Sequence, residues 1–576
     1  MNPTEPRTSN FGKWMALTAA LLGWLFDGLE MGLFPLVQKS ALDELVGSDQ
    51  RTLWMGIMTS FFLVGAATGG VLFGWLGDRI GRVRSMMLSV LTYALVSGLC
   101  GFATNFEIGG LHIPGAWQIG VLRFIAALGM GGEWSLGVAL INELWPDRSR
   151  AFLAGLIGAA ANVGYLLIGV VGNSVHQEIQ QVRHALFAVN LSESWVDHLI
   201  SEQNQGWRFL MMLGALPALL TFLIRWFVPE SEKWERERGR GATSHWATRD
   251  LVTVLIGAIA ACLIIVLWAI RWDQYLADTS PVSIDAGVGV LGEFVRKIQA
   301  DSRAPWILTF QIVSSLLCFA VVTWGYTYPV LCYLKRAHAA GLVGGDDWKP
   351  TLKRMLLAAT LSGVALLGTW GTIQQAPAWS GVLAEQDRKV LYAASSLGMM
   401  ASPAGQGDLL SSSTVLSFSM TIPPAPARTQ IAAAFGAILG TIAAALLGGW
   451  LGRRITYFFL CIASFGIIQW FFQTSTMFDM RFLILAFFTG AISASFYGWL
   501  PLYLPELFPT AIRATGQGFG FNFGRIIAAV GVLQLDTLKN VAGGLPQACA
   551  ALSFIYVLGI IVIWFVPETK GQPLPD

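Results

Sequence analysis

The feature that most constrains this chain is a recurring apolar run about 20 residues long. Such runs lie near 15–37, 53–77, 85–104, 116–142, 151–172 and 207–228, and again near 352–374, 430–450, 455–473, 481–503, 513–534 and 547–566. Two more, near 250–271 and 305–333, separate the two sets. At ~1.5 Å per helical residue, each run matches a hydrocarbon layer ~30 Å thick. In lipid, only a helix or a closed barrel satisfies every backbone N–H and C=O. The chain is 54% hydrophobic and 12% charged, roughly half the charge of an ordinary soluble chain. The expected fold is an all-α polytopic membrane protein of about fourteen transmembrane helices, with the lipid bilayer as its surroundings.

A formal net charge of +2 gives no reason to expect nucleic acid, because the Lys and Arg residues sit in short loops between runs. The six cysteines lie in or beside apolar runs without C-x-x-C spacing and read as small hydrophobes. The six histidines lie in or near loops without metal-ligand spacing, so no metal and no cofactor are expected. The first apolar run is too long for a signal-peptide core, and no cleavable leader is expected.

Loop charge orients the helices. Arg79, Arg82 and Arg84 follow the second run, Arg148 and Arg150 the fourth, and Lys233, Arg236, Arg238 and Arg240 the sixth. Lys335, Arg336, Lys349, Lys353 and Arg354 precede the second set, and Arg453 and Arg454 fall in a very short loop within it. All of these share one side, which puts both termini in the cytoplasm of a cell (inner or plasma) membrane protein. Long polar excursions at 173–206, 272–304 and 375–429 face outward, and 272–304 reads as an outer helical cap.

The chain also repeats itself. "GWLGDR" at 74–79 returns as "GWLGRR" at 449–454, "ELWPDRSRA" at 143–151 as "ELFPTAIRA" at 506–514, and "FVPES" at 227–231 as "FVPET" at 565–569. Three landmarks in the same order imply two parallel six-helix halves related by an axis along the membrane normal. The expected organisation is a cytoplasmic N-terminus (1–12), a first six-helix bundle (13–228), a cytoplasmic linker (229–249), two inserted helices with an outer loop (250–334), a second linker (335–350), a second six-helix bundle (351–566) and a cytoplasmic tail (567–576).

These landmarks resemble the major facilitator superfamily. "GWLGDRIGRVRSM" resembles its loop between helices two and three, and "RFIAALGMGGEW" its fourth-helix R-x-x-x-x-G-x-G pattern. "PESEKW" and "PETKG" resemble the sugar-porter and metabolite:proton-symporter signatures. The sugar-porter seventh-helix pattern is absent, and "IQQAPAWSG" at 373–381 keeps its two glutamines alone. The resemblance implies alternating access by two rocking bundles around a central site, with two helices beyond the usual twelve. A peripheral packing role is expected for that inserted pair.

Ionisable residues inside the membrane are expensive, at ~2.5–3.5 kcal/mol or more each, and so mark function. Asp27 and Glu30 lie about one turn apart on one side of helix one. Arg123, in the outer third of helix four, sits at a depth compatible with Asp27 and keeps its charge. A carboxyl whose cation comes and goes would change its hold on a proton, so Asp27, Arg123 and Glu30 are the candidate proton-coupling residues. The resemblance implies the same Asp27–Arg123 pairing, and a permanent tie between helices one and four is the alternative. Arg525 lies near midplane on helix eleven, where its fork could bind an anionic substrate or pair with Glu30 or Asp27 across the cavity. Organic-anion carriers of the superfamily resemble it in their Gly-Arg pair there.

Further substrate-lining candidates are Asn522, one turn before Arg525, then Asn162 and Tyr165, Gln374 and Gln375, and Tyr497 and Trp499. Gating candidates are Asp78, Arg79, Arg82, Glu133, Glu143, Arg148, Glu506 and Arg513. The resemblance implies that Asp78, Arg79, Arg82 and Arg148 form a latch at the cytoplasmic helix ends, with simple anchoring of topology as the alternative for each arginine; Glu143 with Arg148 and Glu506 with Arg513 are the candidate partners. The repeat places Arg453 opposite Asp78, which makes the expected latch asymmetric.

The expected function is secondary active transport, by proton symport of a small organic solute with an organic acid favoured. A sugar or polyol carrier is the alternative within transport, and a non-transporting membrane sensor the alternative outside it. No enzyme motif is found, neither P-loop, H-E-x-x-H nor G-x-S-x-G. A monomer that binds a small-molecule substrate, with the proton as its coupling ion, completes the reading.

Overall fold

A computed structural model describes residues 10–47, 51–108, 111–145, 149–177, 179–188, 190–201, 206–269, 305–340, 348–396 and 425–575. The first half contains α1 (Asn10–Leu45), α2 (Arg51–Ile80), α3 (Arg82–Leu99), α4 (Gly115–Leu144) and α5 (Arg150–Gln177). A short antiparallel hairpin, β1 (Phe106–Ile108) with β2 (Leu111–Ile113), links α3 to α4. Two small helices, α6 (Ile179–Ala188) and α7 (Glu193–Leu199), occupy the 173–206 excursion. The sixth span is split into α8 (Trp207–Leu213) and α9 (Leu220–Phe227), and α10 (Glu232–Gly239) follows.

The insert supplies α11 (Leu251–Ala269) and α12 (Pro305–Ala339). The second half runs through α13 (Trp348–Trp370), α14 (Ala376–Ser396), α15 (Ala425–Leu451), α16 (Arg453–Thr474), α17 (Met480–Ser493) and α18 (Phe496–Tyr503). It ends with α19 (Arg513–Asn522), α20 (Gly524–Leu533), α21 (Leu535–Ala542), α22 (Leu545–Leu552) and α23 (Ile555–Val562).

Twelve helical stretches among the described residues are long and apolar enough to cross a membrane, and both inserted helices are among them. Two of the fourteen expected spans are not in that set, because each is interrupted. In 207–228 the helix tightens into a 3-10 turn at Leu216–Leu219, where Pro217 has no N–H to continue the ladder. In 513–534 the helix restarts at Gly524, whose backbone lies so close to Gly363 that a Cβ would come within 2.5 Å of its nitrogen. The expected outward loop at 375–429 begins instead with α14, joined to α13 by one 3-10 turn, Ile373–Gln375. The expected cap at 272–304 lies outside the described residues.

Glycine explains how tightly the helices pack. A Cβ on Gly28 of α1 would stand 1.7 Å from the Ala161 carbonyl oxygen of α5, and one on Gly164 of α5 would stand 1.7 Å from that of Leu25. Without a hydrophobic drive in lipid, such backbone contact is what holds helices together. The same pairing recurs between α2 and α4 and between α15 and α17, its counterpart in the second half. Across the halves, α5 packs on α15 while α2 packs on α19 and α20, two seams related by the repeat. Large apolar side chains such as Trp226, Leu316 and Trp450 face outward, as lipid contact requires.

The inserted pair spans the α2 seam. The hydroxyls of Tyr326 on α12 and Thr68 on α2 lie 2.7 Å apart. The Tyr326 and Phe319 rings pack edge-on against Phe523 of the second half, with centroids 6.4 and 5.4 Å away.

Candidate functional site

Five ionisable side chains are buried in the interior in two groups, Glu30 with Arg123 inside the first half, and Asp27 with Glu133 facing Arg525 of the second half. Asp27 and Glu30 come from α1, Arg123 and Glu133 from α4, and Arg525 from α20, and none is more than 7% exposed. The expected Asp27–Arg123 contact is not made. Arg123 instead donates from Nη1 to Glu30 Oε1 at 3.4 Å, with its guanidinium over the rings of Phe34 (4.0 Å) and Phe62 (4.8 Å). Asp27 lies one turn earlier on α1 and faces Glu133 and Arg525. The correction is one of depth along the helix: the two acids share a side of α1, but only Glu30 is level with Arg123.

Arg525 lies over the Phe521 ring at 5.3 Å, and its Nε and Nη1 are buried without a hydrogen-bond partner. Aromatic rings wall the same region. Trp134 of α4 stacks on Phe521 of α19 at 3.8 Å and 5°, and Trp24 lies parallel to Trp134 at 6.4 Å. Tyr497 approaches Phe521 edge-on at 6.4 Å. Nothing in the sequence alone brought these rings together, because they come from four helices of two halves.

The polar lining candidates are largely committed to the protein. Asn522 donates from Nδ2 to Gly131 O (3.1 Å) and Gly518 O (3.0 Å), joining α19 to α4, while its Oδ1 has no partner. Asn162 bonds back to Gly158 O within α5. Tyr165 donates to Gln374 Oε1 at 2.8 Å, a bridge between halves, and Gln430 donates to the Tyr165 carbonyl. Gln375 caps the Trp370 carbonyl. The Tyr497 and Thr369 hydroxyls lie 2.7 Å apart. Trp499 is a correction: it is fully buried and donates from Nε1 to Arg453 O at 3.0 Å, beside the latch and away from the interior cluster.

At the end carrying the basic loops, the repeated landmarks converge. Glu143 accepts from Arg82 (3.1 Å), from Arg513 of the other half (3.1 Å) and from Ser231 Oγ. Glu506 accepts from Arg453 through Nη2 (2.7 Å) and Nε (3.0 Å), from Arg150 of the other half (2.7 Å) and from Thr569 Oγ1. The expected Glu506–Arg513 pair is not made; the contacts are crossed between the halves, Glu143–Arg513 and Glu506–Arg150. Arg148 lies outside the described residues, and the sequence reading passed over Arg150 as a partner. The signal was present, since Arg150 stands in "ELWPDRSRA" where Arg513 stands in "ELFPTAIRA".

The register of the first landmark also changes. Gly452 and Arg453 are counterparts of Gly81 and Arg82, not of Gly77 and Asp78. Both glycines have positive φ (114° and 105°) and cap the helices that follow, and both arginines reach the conserved-in-repeat glutamates. Asp78 has no acidic counterpart, because Gly449 occupies its place. It pairs with Arg82 (2.6 Å) and accepts from Thr515 N (2.9 Å) and Oγ1 (2.6 Å), adding a bond between halves. Arg82 also donates to Thr510 O at 3.0 Å. Arg79 is a further correction, since it bonds to Thr248 beside the insert and not within the latch.

Two glutamates outside the spans were missed. Glu230 of "PES" accepts from the backbone N–H groups of Arg82, Val83 and Ser231, and Glu568 of "PET" from those of Arg453, Arg454, Thr569 and Lys570. Each caps the N-terminus of the helix that follows its half's glycine turn. Burial pushes the Glu230 carboxyl above the ordinary glutamate value of 4.5, outweighing those N–H bonds and the nearby Arg82. Burial opposes ionisation of Glu568 too, but its N–H donors prevail and hold it below 4.5.

A cavity of about 410 Å³ opens at the opposite end, lined by Glu44, Thr104, Asn105, Asp197, His198 and Arg208. It lies apart from the interior charges. No group of three or more metal-binding side chains is found among the described residues.

Comparison with known proteins follows the same lines. Residues 15–254 match the family described as "Sugar (and other) transporter". The Escherichia coli inner membrane metabolite transport protein YgcS is 33% identical over 222 residues, which are 38% of this chain and 41% of that protein. The cis,cis-muconate transport protein of Acinetobacter baylyi is 23% identical over 97% of this chain and 95% of its own. In three dimensions, the chain resembles the major facilitator proton:xylose symporter XylE bound to 6-bromo-6-deoxy-D-glucose, with a TM-score of 0.56, 18% identity and 98% of each chain covered.

Proposed function

We propose that the chain, whose residues 15–254 match the "Sugar (and other) transporter" family and whose fold resembles a major facilitator symporter, works by alternating access as a proton-coupled symporter of a small organic anion. The observation that carries this reading is Arg525, an interior guanidinium with two unpartnered nitrogens and a carboxylate, Asp27, across from it. A substrate carboxylate takes the Arg525 fork through charge-assisted bonds. Asp27 then loses its counter-charge in a place that penalises a lone ion, and it accepts a proton. A monocarboxylate and one proton cross together as a neutral load, and a dicarboxylate with one proton carries a single negative charge. When the substrate leaves, Asp27 returns its proton and faces Arg525 again.

The parallel faces of Trp24, Trp134 and Phe521 favour a flat, conjugated acid, which stacks on such rings. The substrate named for the Acinetobacter relative, cis,cis-muconate, has that shape. Arg123 and Glu30 act in this reading as a tie between α1 and α4. With both termini in the cytoplasm of a cell membrane, the crossed ion pairs close the cytoplasmic side. A monomer suffices, since both seams and both latch pairs lie within one chain.

Uptake into proteoliposomes tests the proposal. Labelled cis,cis-muconate should accumulate only with an inward proton gradient. Uptake of a labelled hexose that ignores the gradient, with no carboxylate uptake, would overturn it. The second reading, a sugar or polyol carrier, draws on the "Sugar (and other) transporter" match and on the interior amides of Gln374 and Gln430.

A further inference from the structure

The interior holds one carboxyl that the mechanism above does not use. Glu133 is 1% exposed, and neither of its carboxyl oxygens has a hydrogen-bond partner. Its Oε1 is pressed against Gly23 of α1, one turn before Asp27, so closely that a Cβ there would stand 1.7 Å away. It forms no ion pair with a described cation. Asp27 Oδ1 and the buried Tyr93 hydroxyl are unpartnered beside it.

Charge counting makes this arrangement informative. Glu30 is matched by Arg123 and Asp27 by Arg525, which leaves Glu133 as a third acid for two guanidinia. An ionised carboxylate with no cation and at most the Tyr93 hydroxyl as a donor is strongly disfavoured at a position this buried. As a neutral acid, Glu133 becomes a donor, and the carboxylate within its reach is Asp27.

We propose that Glu133 is a resident carboxylic acid whose proton is shared with Asp27, so that an Asp27–Glu133 pair is the proton site of the transporter. The inference rests on the symport reading above and deepens it. In the empty carrier, Glu133 holds a proton that it donates as a hydrogen bond to ionised Asp27. When an anion takes Arg525, one proton from the aqueous side enters the pair, and both carboxyls are neutral. That proton leaves with the anion on the far side. Only O–H bonds form and break, and the charge around Arg525 stays balanced for each substrate carboxylate that takes its fork while Asp27 is neutral. The titratable and charged groups facing the pair are Glu30 from α1, Tyr93 from α3 and Arg525 from α20.

Infrared difference spectroscopy of the full-length protein in lipid nanodiscs tests this without a substrate. The wild type should show a carboxylic-acid carbonyl band at neutral pH. Glu133→Gln should remove the band, and Asp27→Asn should shift its frequency, because the hydrogen-bond acceptor changes. A Glu133→Gln spectrum identical to the wild type overturns the inference. Should that variant fail to assemble, Tyr93→Phe removes only the neighbouring hydroxyl and should shift the same band, and an unmoved band is equally fatal. The symport reading fails separately, if Asp27→Asn still drives uphill accumulation in proteoliposomes. If Asp27→Asn uncouples transport while the Glu133 spectra stay silent, only the present inference falls.

Discussion

Glu143 and Arg513 meet at 3.1 Å from opposite halves of the chain, and their repeat counterparts Glu506 and Arg150 meet at 2.7 Å. Each glutamate is also held within its own half, by Arg82 or Arg453 and by Ser231 or Thr569. The partner inside the half positions the acid, and the partner across the seam is the one that a movement of one half against the other would break. A duplicated sequence thereby builds a two-fold lock from one design. Asp78, bonded to Thr515 and Ala514 of the other half, is the addition that the second half lacks.

Removing one crossed arginine should therefore loosen one end of the carrier without dismantling either bundle. Breaking a buried pair costs about 3–5 kcal/mol, and 3 kcal/mol is a shift of about a hundredfold in a conformational equilibrium. Arg150→Ala and Arg513→Ala should each raise hydrogen–deuterium exchange in the peptide spanning 508–520, with the rest of the bundle protected. Asp78→Asn should act in the same direction. Unchanged exchange in all three variants would mean that these pairs do not set the closed state.

The two helix-capping glutamates should give opposite pH responses. Glu568 is held below 4.5 in the folded protein, so its ionised form favours folding. That contribution is present above 4.5 and fades as pH falls through the folded value. The wild-type advantage in apparent Tm over Glu568→Gln should accordingly shrink on acidification below 4.5. Glu230 is raised above 4.5, so its neutral form is the favoured one in the fold. The wild type should gain on Glu230→Gln as pH falls through the raised value towards 4.5. Slopes of the same sign for both variants would contradict this account.

Glu30 and Arg123 are a buried pair with one bond at 3.4 Å, steadied by two aromatic rings. Glu30→Gln strands the guanidinium and should lower apparent Tm strongly, by the equivalent of about 3 kcal/mol. Glu30→Gln with Arg123→Gln removes both charges and should recover most of that loss. A double variant no more stable than the single would show that the charges are not paired in the working protein.

The bundle halves were legible because a repeated hydrophobic period and three repeated landmarks are local properties of the chain. The latch was half legible. Its glutamates and Arg513 were found, but two arginines within one short motif, Arg148 and Arg150, are told apart only by register against the second copy. Aligning "GWLGDR" with "GWLGRR" misled for a physical reason, since the positive-φ glycine before the helix, and not the Gly-Trp pair, is the fixed point. The interior pairing was least legible. Helical period places Asp27 and Glu30 on one side of α1, yet which of them meets Arg123 depends on how α1 is shifted along α4. That shift is set by contacts such as Gly23 against Glu133, which no single helix reveals.

Arg525 and Asp27 together give the sharpest test of transport. Lysine keeps the positive charge of Arg525 but loses the planar fork, so Arg525→Lys should raise KM for cis,cis-muconate roughly tenfold. If Arg525 only balanced Asp27, charge alone would suffice and KM would hold. Asp27→Asn removes the proton acceptor and keeps the shape. It should abolish accumulation against a gradient while exchange of internal for external substrate persists in part, because exchange needs the anion site and not a proton cycle. The two variants separate the roles: affinity should fall with the first and energetic coupling with the second. Loss of coupling in Arg525→Lys with normal KM would reverse the assignment, and Arg525 would then be the counter-ion of Asp27 alone.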